Sequence, residues 1–360
     1  MQLKKLNITL DITLSSTTLY SPTTLYSPAI QNPPTIRYST ENSHPTFCAK
    51  SCIMTNVMPV PHHVTMLDNK MPLDDKFRII AVSTNDSNGT DIYLEKMIQR
   101  FNFYIYKKTG IRINNHTANS ITNGWNALYI HSNESISDYP TLGENESYEL
   151  HISTKNAHLY AETLTGVSRG LATFVQLLHS DTNNDISVPS LRIVDKPRFP
   201  WRGLMIDVSR HWMPVSVIER NLNAMEFVKL NVLHLHLSDD QGFRVESKKY
   251  PLLHERGSDN QYYTHQQIHH LVEYARERRI RIVPEFDIPG HTTSWFVGYP
   301  HLASAPKVYS IQRGWGTFKP TMDPSRETTF EFLDAFFNET TSLFPDKYFH
   351  IGGDEVEGSQ

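Results

Sequence analysis

Two adjacent carboxylates, Asp354 and Glu355, close the hexapeptide His350-Ile351-Gly352-Gly353-Asp354-Glu355. Neighbours on a regular strand point to opposite faces, so both acids can serve one substrate only where a strand ends and the backbone turns. Gly352 and Gly353 remove side-chain bulk and permit such a backbone. An Asp-Glu pair alone is an ordinary solvated strand end; this one gains meaning from what ends in the same way. Asp207, Arg210 and His211 follow one apolar run; His234, His236, Asp239 and Asp240 end a second; Glu285, Asp287 and His291 end a third. Carboxylates converging from four strand ends repel one another unless cations, shared protons or a positive intermediate balance them, and such crowding raises pKa values. In that setting one carboxyl can stay protonated near neutral or mildly acid pH and work as a general acid.

The elements that position these groups are legible in the pattern. Strands are predicted over 203–209, 232–239, 281–287 and 348–355, with helices over 215–230, 265–279 and about 327–344. Alternating β and α elements imply a parallel sheet with crossover helices. Polar residues gathered at the C-terminal end of every strand point to an α/β fold of the (β/α)8 TIM-barrel type, with only about the first four βα units present. No Gly-rich phosphate-binding turn follows the first strand, which argues against a doubly wound sheet. Residues 76–195 mix short alternating strands with helices over 91–107 and 165–179 and read as an α+β domain. The two prolines of 195–200 bar a helix and mark a linker, with the barrel from 200 to 360. Residues 1–75, rich in Thr, Ser, Pro and Asn and carrying a tandem TTLYSP repeat, read as a disordered leader.

Composition bounds the function. The chain has 360 residues, 39% hydrophobic and 20% charged, enough for about two domains. Its 34 Lys and Arg against 38 Asp and Glu give a net charge of −4, with no surplus for a phosphate backbone, so no nucleic-acid partner is expected. No segment approaches the roughly 20 apolar residues of a membrane span, and the first 20 residues lack the unbroken apolar stretch of a signal peptide. Cys48 and Cys52 are too few for a disulfide scaffold and read as incidental.

Four segments, 197–214, 229–251, 284–295 and 350–355, closely resemble, in order, the motifs of the family 20 glycoside hydrolases, the β-N-acetylhexosaminidases. The resemblance is strong over 200–360, extends to the α+β domain and does not reach 1–75. It implies a retaining enzyme that removes terminal N-acetylglucosamine or N-acetylgalactosamine from glycans, with the substrate's own acetamido oxygen as nucleophile. On that template Glu355 is the general acid and base, and Asp354 orients the acetamido group and offsets positive charge. Asp239 and His291 match the pair that sets the protonation of the acid/base, and Arg210 matches the arginine that clamps sugar hydroxyls. Because the nucleophile comes from the substrate, the two acids can be sequence neighbours. No cofactor or metal is implied. A lysosomal or secreted location and a homo- or heterodimer are. Asn7, Asn85, Asn88, Asn115, Asn133, Asn145 and Asn338 head glycosylation sequons, about four of which chance alone would produce in so Asn-, Ser- and Thr-rich a chain.

Two rival readings stand beside this one. His234-x-His236 at a strand end is a pattern that holds divalent metal in barrel hydrolases, although the later strands are not expected to supply the matching ligands. A full barrel needs roughly 250 residues and only about 160 follow the linker, so the chain is also expected to be C-terminally incomplete and inactive alone, or a sugar-binding remnant. Trp295 either lines the site or belongs to the core.

Overall fold

The computed structural model describes residues 56–82, 92–113, 126–132 and 139–356. Its first part is a seven-stranded mixed sheet in the order β1-β7-β4-β5-β3-β2, with β6 also pairing β7. The strands are β1 (His63–Pro72), β2 (Arg78–Val82), β3 (Ala127–Ser132), β4 (Tyr148–Ile152), β5 (Asn156–Ala161), β6 (His179–Ser180) and β7 (Ile186–Asp195). In β4 Tyr148, Leu150 and Ile152 are buried and alternate with half-exposed Glu149 and His151, the period-2 pattern of a sheet with one apolar face. Two helices, α1 (Ile92–Thr109) and α2 (Leu164–Leu177), share a core with that face. Thr163 caps α2, accepting a hydrogen bond from Gly166 N at 3.0 Å. Every residue of α2 except Gln176 is buried, as expected of a helix covered on all sides.

The sequence reading placed 63–72 in the leader, but these residues form β1, paired antiparallel with β7 from His63 opposite Val194 to Pro72 opposite Ser187. Mostly exposed side chains leave an edge strand of this kind without a recognisable period. The TTLYSP repeat and both cysteines lie outside the described residues.

A second sheet follows the 195–200 turn: β8 (Gly203–Asp207), β9 (Val232–Asp239) and β11 (Arg281–Phe286), all parallel, with β10 (Gly242–Phe243) folded back antiparallel on β9. The chain crosses between them through α3 (Val215–Phe227), then α4 (Leu252–Gly257) and α5 (His265–Arg276), the last begun by a capping box of Thr264 and Gln267. α6 (Thr293–Gly298) and α7 (Glu327–Thr340) complete the helices. Leu233, Leu235 and Leu237 face the helix-covered core, which leaves His234 and His236 on the opposite face by strand alternation.

The predicted fourth strand over 348–355 does not form. One parallel bridge joins Glu285 to His350, with Phe286 N donating to His350 O at 3.2 Å and Ile288 N to Ile351 O at 3.0 Å. The ladder stops there because Gly352 and Gly353 take φ of 67° and 113°, outside any strand conformation. Among the described residues the second sheet does not close on itself.

Buried ion pairs join the two parts. Arg100 of α1 donates from Nε and Nη2 to Glu226 of α3 at 2.9 and 2.7 Å, and Tyr104 OH donates to Glu226 Oε2 at 3.0 Å. Glu146 accepts from Arg169 Nε at 2.8 Å and from Arg202 Nη1 at 3.0 Å.

Candidate active site

Parallel register sets the site's floor. Asp207 of β8 stands beside His236 of β9, and His236 beside Glu285 of β11. Glu285 is met by His234 Nε2 at 2.6 Å, His236 Nδ1 at 2.9 Å and His350 Nδ1 at 3.1 Å. Burial works to raise the Glu285 carboxyl, yet the three imidazoles hold it well below the usual carboxylate range. Burial likewise opposes charge on His236, but hydrogen bonds to Asp239 and Glu285 push it up to about 9.

A continuous chain of contacts leads from there to the carboxylate doublet. Arg210 places Nη1 2.7 Å from Asp207 Oδ2 and Nη2 2.7 Å from Asp239 Oδ2. The fully buried Asp239 also contacts His236 Nε2 at 2.8 Å. His291 turns Nδ1 toward Asp240 Oδ2 at 3.1 Å and Asp239 Oδ1 at 3.4 Å, and Nε2 toward Glu355 Oε2 at 3.1 Å and Asp354 Oδ2 at 3.8 Å. Its bonds to Asp239 and Asp240 push His291 up to about 11, so it is an imidazolium at neutral pH, a fixed positive charge beside the doublet.

Asp287 lies beneath the doublet and accepts a hydrogen bond from Gly353 N at 3.0 Å. Burial, reinforced by the neighbouring Asp354 charge, raises it to about 7. Both His291 (φ 53°) and Glu355 (φ 48°) adopt the left-handed conformation that non-glycine residues seldom take, and such strain concentrates at functional sites. At Gly352 a Cβ would stand 1.7 Å from Asp287 Oδ1. Gly352→Ala is therefore expected to cost about 1–3 kcal/mol in denaturant unfolding and to displace Asp287.

All five residues singled out from sequence, Arg210, Asp239, His291, Asp354 and Glu355, fall on this one chain of contacts. Asp240, expected at the same strand end but given no role of its own, approaches His291 more closely than Asp239 does, and Thr293 N fixes its other oxygen at 2.9 Å. Its only sequence signal was the Asp239-Asp240 doublet. Trp295 is fully buried against Phe243 and Phe336 and is a core residue.

The His234-x-His236 pair does find further donors, contrary to expectation: His234, Glu285 and His350 each bring one ligand atom within 4.8 Å of the others. Such a set suits a divalent ion of N/O preference. The same contacts are equally met by imidazole N–H groups turned toward one carboxylate. The Asp354 and Glu355 side chains are 66% and 58% exposed, so the doublet is open to an incoming ligand.

Both parts of the described fold match known proteins. Residues 199–360 match the family model for the glycosyl hydrolase family 20 catalytic domain, and residues 57–177 match the model described as beta-acetyl hexosaminidase like. The chain is 43% identical over 232 residues to the beta-hexosaminidase subunit beta of Sus scrofa, covering 64% of this chain and 43% of that protein. It is 38% identical over 303 residues to the Homo sapiens subunit beta, covering 83% and 54%. The chitobiase of Flavobacterium johnsoniae superposes with a TM-score of 0.76 at 40% identity, over 84% of this chain and 45% of that one. The chain thus spans about half the length of the relatives it matches. With both halves of its described fold matched in order and the acidic site at the matched strand ends, the chain belongs to glycosyl hydrolase family 20.

Proposed function

We propose that the protein is a retaining β-N-acetylhexosaminidase acting on glycans that end in N-acetylglucosamine or N-acetylgalactosamine. The observation that carries this reading is the placement of Glu355 Oε2 3.1 Å from the His291 imidazolium, with Asp354 beside it. Protonated Glu355 gives its proton to the glycosidic oxygen while the substrate's acetamido oxygen attacks the anomeric carbon. The departing sugar leaves a cyclic, positively charged intermediate. Asp354, accepting from the acetamido N–H, orients the carbonyl and balances that charge; Glu355, now a carboxylate, takes a proton from the water that opens the ring. Arg210, held by Asp207 and Asp239, presents its remaining N–H groups to sugar hydroxyls.

Asp287 gives this scheme a pH dependence. With its pKa near 7 it is protonated under acid conditions and donates to Asp354. Above about 7 it ionises beside a like charge. Because its folded pKa is raised, the stability held by the neutral form is lost as pH rises through about 7, and activity is expected to fall over the same window. Asp287→Asn, which donates at every pH, is expected to flatten that limb of the pH–rate profile; an unchanged limb would assign it elsewhere.

Under the same reading residues 76–195, with β1 added, are the preceding α+β domain, and residues from 200 on are the first βα units of a (β/α)8 barrel, with β8, β9 and β11 as parallel strands and the His350 segment bridged to β11. Relatives named as subunits support a homo- or heterodimer. Exposed sequons at Asn145 and Asn338 support a secreted or lysosomal compartment, and no described helix is long and apolar enough to cross a membrane.

The test is release of fluorophore from an aryl β-N-acetylglucosaminide, with the matching aryl β-glucoside as control. Substrate-assisted chemistry requires the acetamido group, so comparable rates on both would sink the proposal. Since both acids face water over more than half of their side-chain surface, the 360-residue chain by itself is expected to turn over well below the 1–10³ s⁻¹ of typical enzymes, roughly. A chelator should leave the rate unchanged; its loss would instead favour an ion on His234, Glu285 and His350.

A further inference from the structure

A cavity of about 360 Å³ opens away from the acidic site, bounded by the 195–200 turn and the chain leading into β1. None of the residues linking Arg210 to Glu355 lines it. Val60, Pro197 and Phe199 supply apolar wall, and Arg169, Arg202 and Lys229 line it as well. Its size is that of a site for a small organic molecule, which typically holds about 300–1,000 Å³.

The charges around it do not balance. Glu146 pairs with both Arg169 and Arg202, while Asp195 accepts from Lys229 Nζ at 3.2 Å and from Tyr148 OH at 2.8 Å. Three cations against two carboxylates leave one positive charge over, and Lys196 and Arg198 in the same lining add to that sign. Arg169 is only 2% exposed. Its Nε binds Glu146 and its Nη2 donates to Arg279 O at 3.1 Å, but Nη1 has no hydrogen-bond partner among the described residues. A buried guanidinium N–H without an acceptor is costly, and native structures seldom leave one so. Burial also depresses the pKa of both Arg169 and Lys229, as expected where positive charge lacks full compensation.

We infer that this cavity binds a small organic monocarboxylate, its oxygens on Arg169 Nη1 and its apolar body against Val60, Pro197 and Phe199. The one unpartnered N–H, Arg169 Nη1, matches a single acceptor group, and the apolar wall favours a carboxylate with a hydrocarbon body over an inorganic anion. The carboxylate would supply the acceptor that Nη1 lacks.

Benzoate is the probe, titrated calorimetrically against the 360-residue chain, with benzamide and inorganic phosphate as comparisons. A Kd on the order of 1 mM is expected, ordinary for so small a ligand. Benzamide, which has the same body without the charge, should bind at least about tenfold more weakly. Equal binding of benzamide, or tighter binding of phosphate, would overturn the assignment. Val60 is 82% exposed at the lining and outside the ion-pair network, so Val60→Trp should obstruct the cavity without disturbing the fold. That variant is expected to weaken benzoate by about tenfold or more, with the ligand-free unfolding midpoint unchanged. Full retention of benzoate affinity in Val60→Trp, or no benzoate binding by the unsubstituted chain up to roughly ten times the expected Kd, would refute the site.

Discussion

Under the proposed mechanism Glu355→Gln is expected to lower aryl N-acetylglucosaminide hydrolysis by at least about 10²-fold, with KM nearly unchanged, because the amide keeps the shape of the side chain but cannot transfer a proton. The loss falls on both chemical steps: proton delivery to the leaving oxygen and proton removal from water. A fluorogenic substrate makes the comparison measurable even for a slow parent protein. Substrates with better leaving groups need less acid assistance, so the deficit should shrink for an activated phenol if only the first step is limiting. A substitution that left the rate within twofold on all substrates would remove Glu355 from the mechanism. His291 Nε2, 3.1 Å away, keeps a fixed positive charge beside the Glu355 carboxyl. A proton donor that must also accept is served by a neighbour whose own charge does not change over the working range.

The second large effect is structural. Glu226 is completely buried and accepts from Arg100 and Tyr104 across the junction of α1 and α3. Glu226→Ala strands the Arg100 guanidinium, whose side chain is 8% exposed, without its counter-charge. Breaking a buried pair in this way costs about 3–5 kcal/mol, a large share of the roughly 5–15 kcal/mol that holds a domain folded. Urea unfolding should show the midpoint moving sharply lower. Replacing both residues with apolar side chains of similar volume should recover much of the loss, since the penalty lies in the unpaired charge rather than in the lost attraction. A midpoint shift equivalent to less than about 1 kcal/mol for the single variant would mean that water reaches Arg100.

Much of this was legible before any coordinates. The runs that became β8, β9 and β11 are short and rich in apolar residues, with His234 and His236 alternating against leucines in β9, and α5 between β9 and β11 starts with a capping box and keeps a helical apolar period. Strands built on partners instead of pattern were missed. β7 is interrupted by Pro189, and β1 is an exposed edge whose order comes from β7. The segment after Tyr348 was read as a strand because its composition is strand-like, but backbone angles at Gly352 and Gly353 decided otherwise. In the site, the types and order of the five residues were readable, whereas the choice between Asp239 and Asp240 as the nearer partner of His291 depends on how the turn after β9 is wound. The imidazole cage around Glu285 was equally hidden, because it joins residues from three separate segments.

The left-handed backbone at His291 and Glu355 sets the protein's two demands, durability and chemistry, against each other. Both positions would relax if occupied by glycine or asparagine, residues that accept that conformation at little cost. Screening variants for heat resistance alone would therefore tend to enrich substitutions at these two positions, and each would discard a side chain that the proposed reaction uses. Attempts to toughen this fold are better aimed at its exposed loops and helix ends, with positions 291 and 355 held fixed.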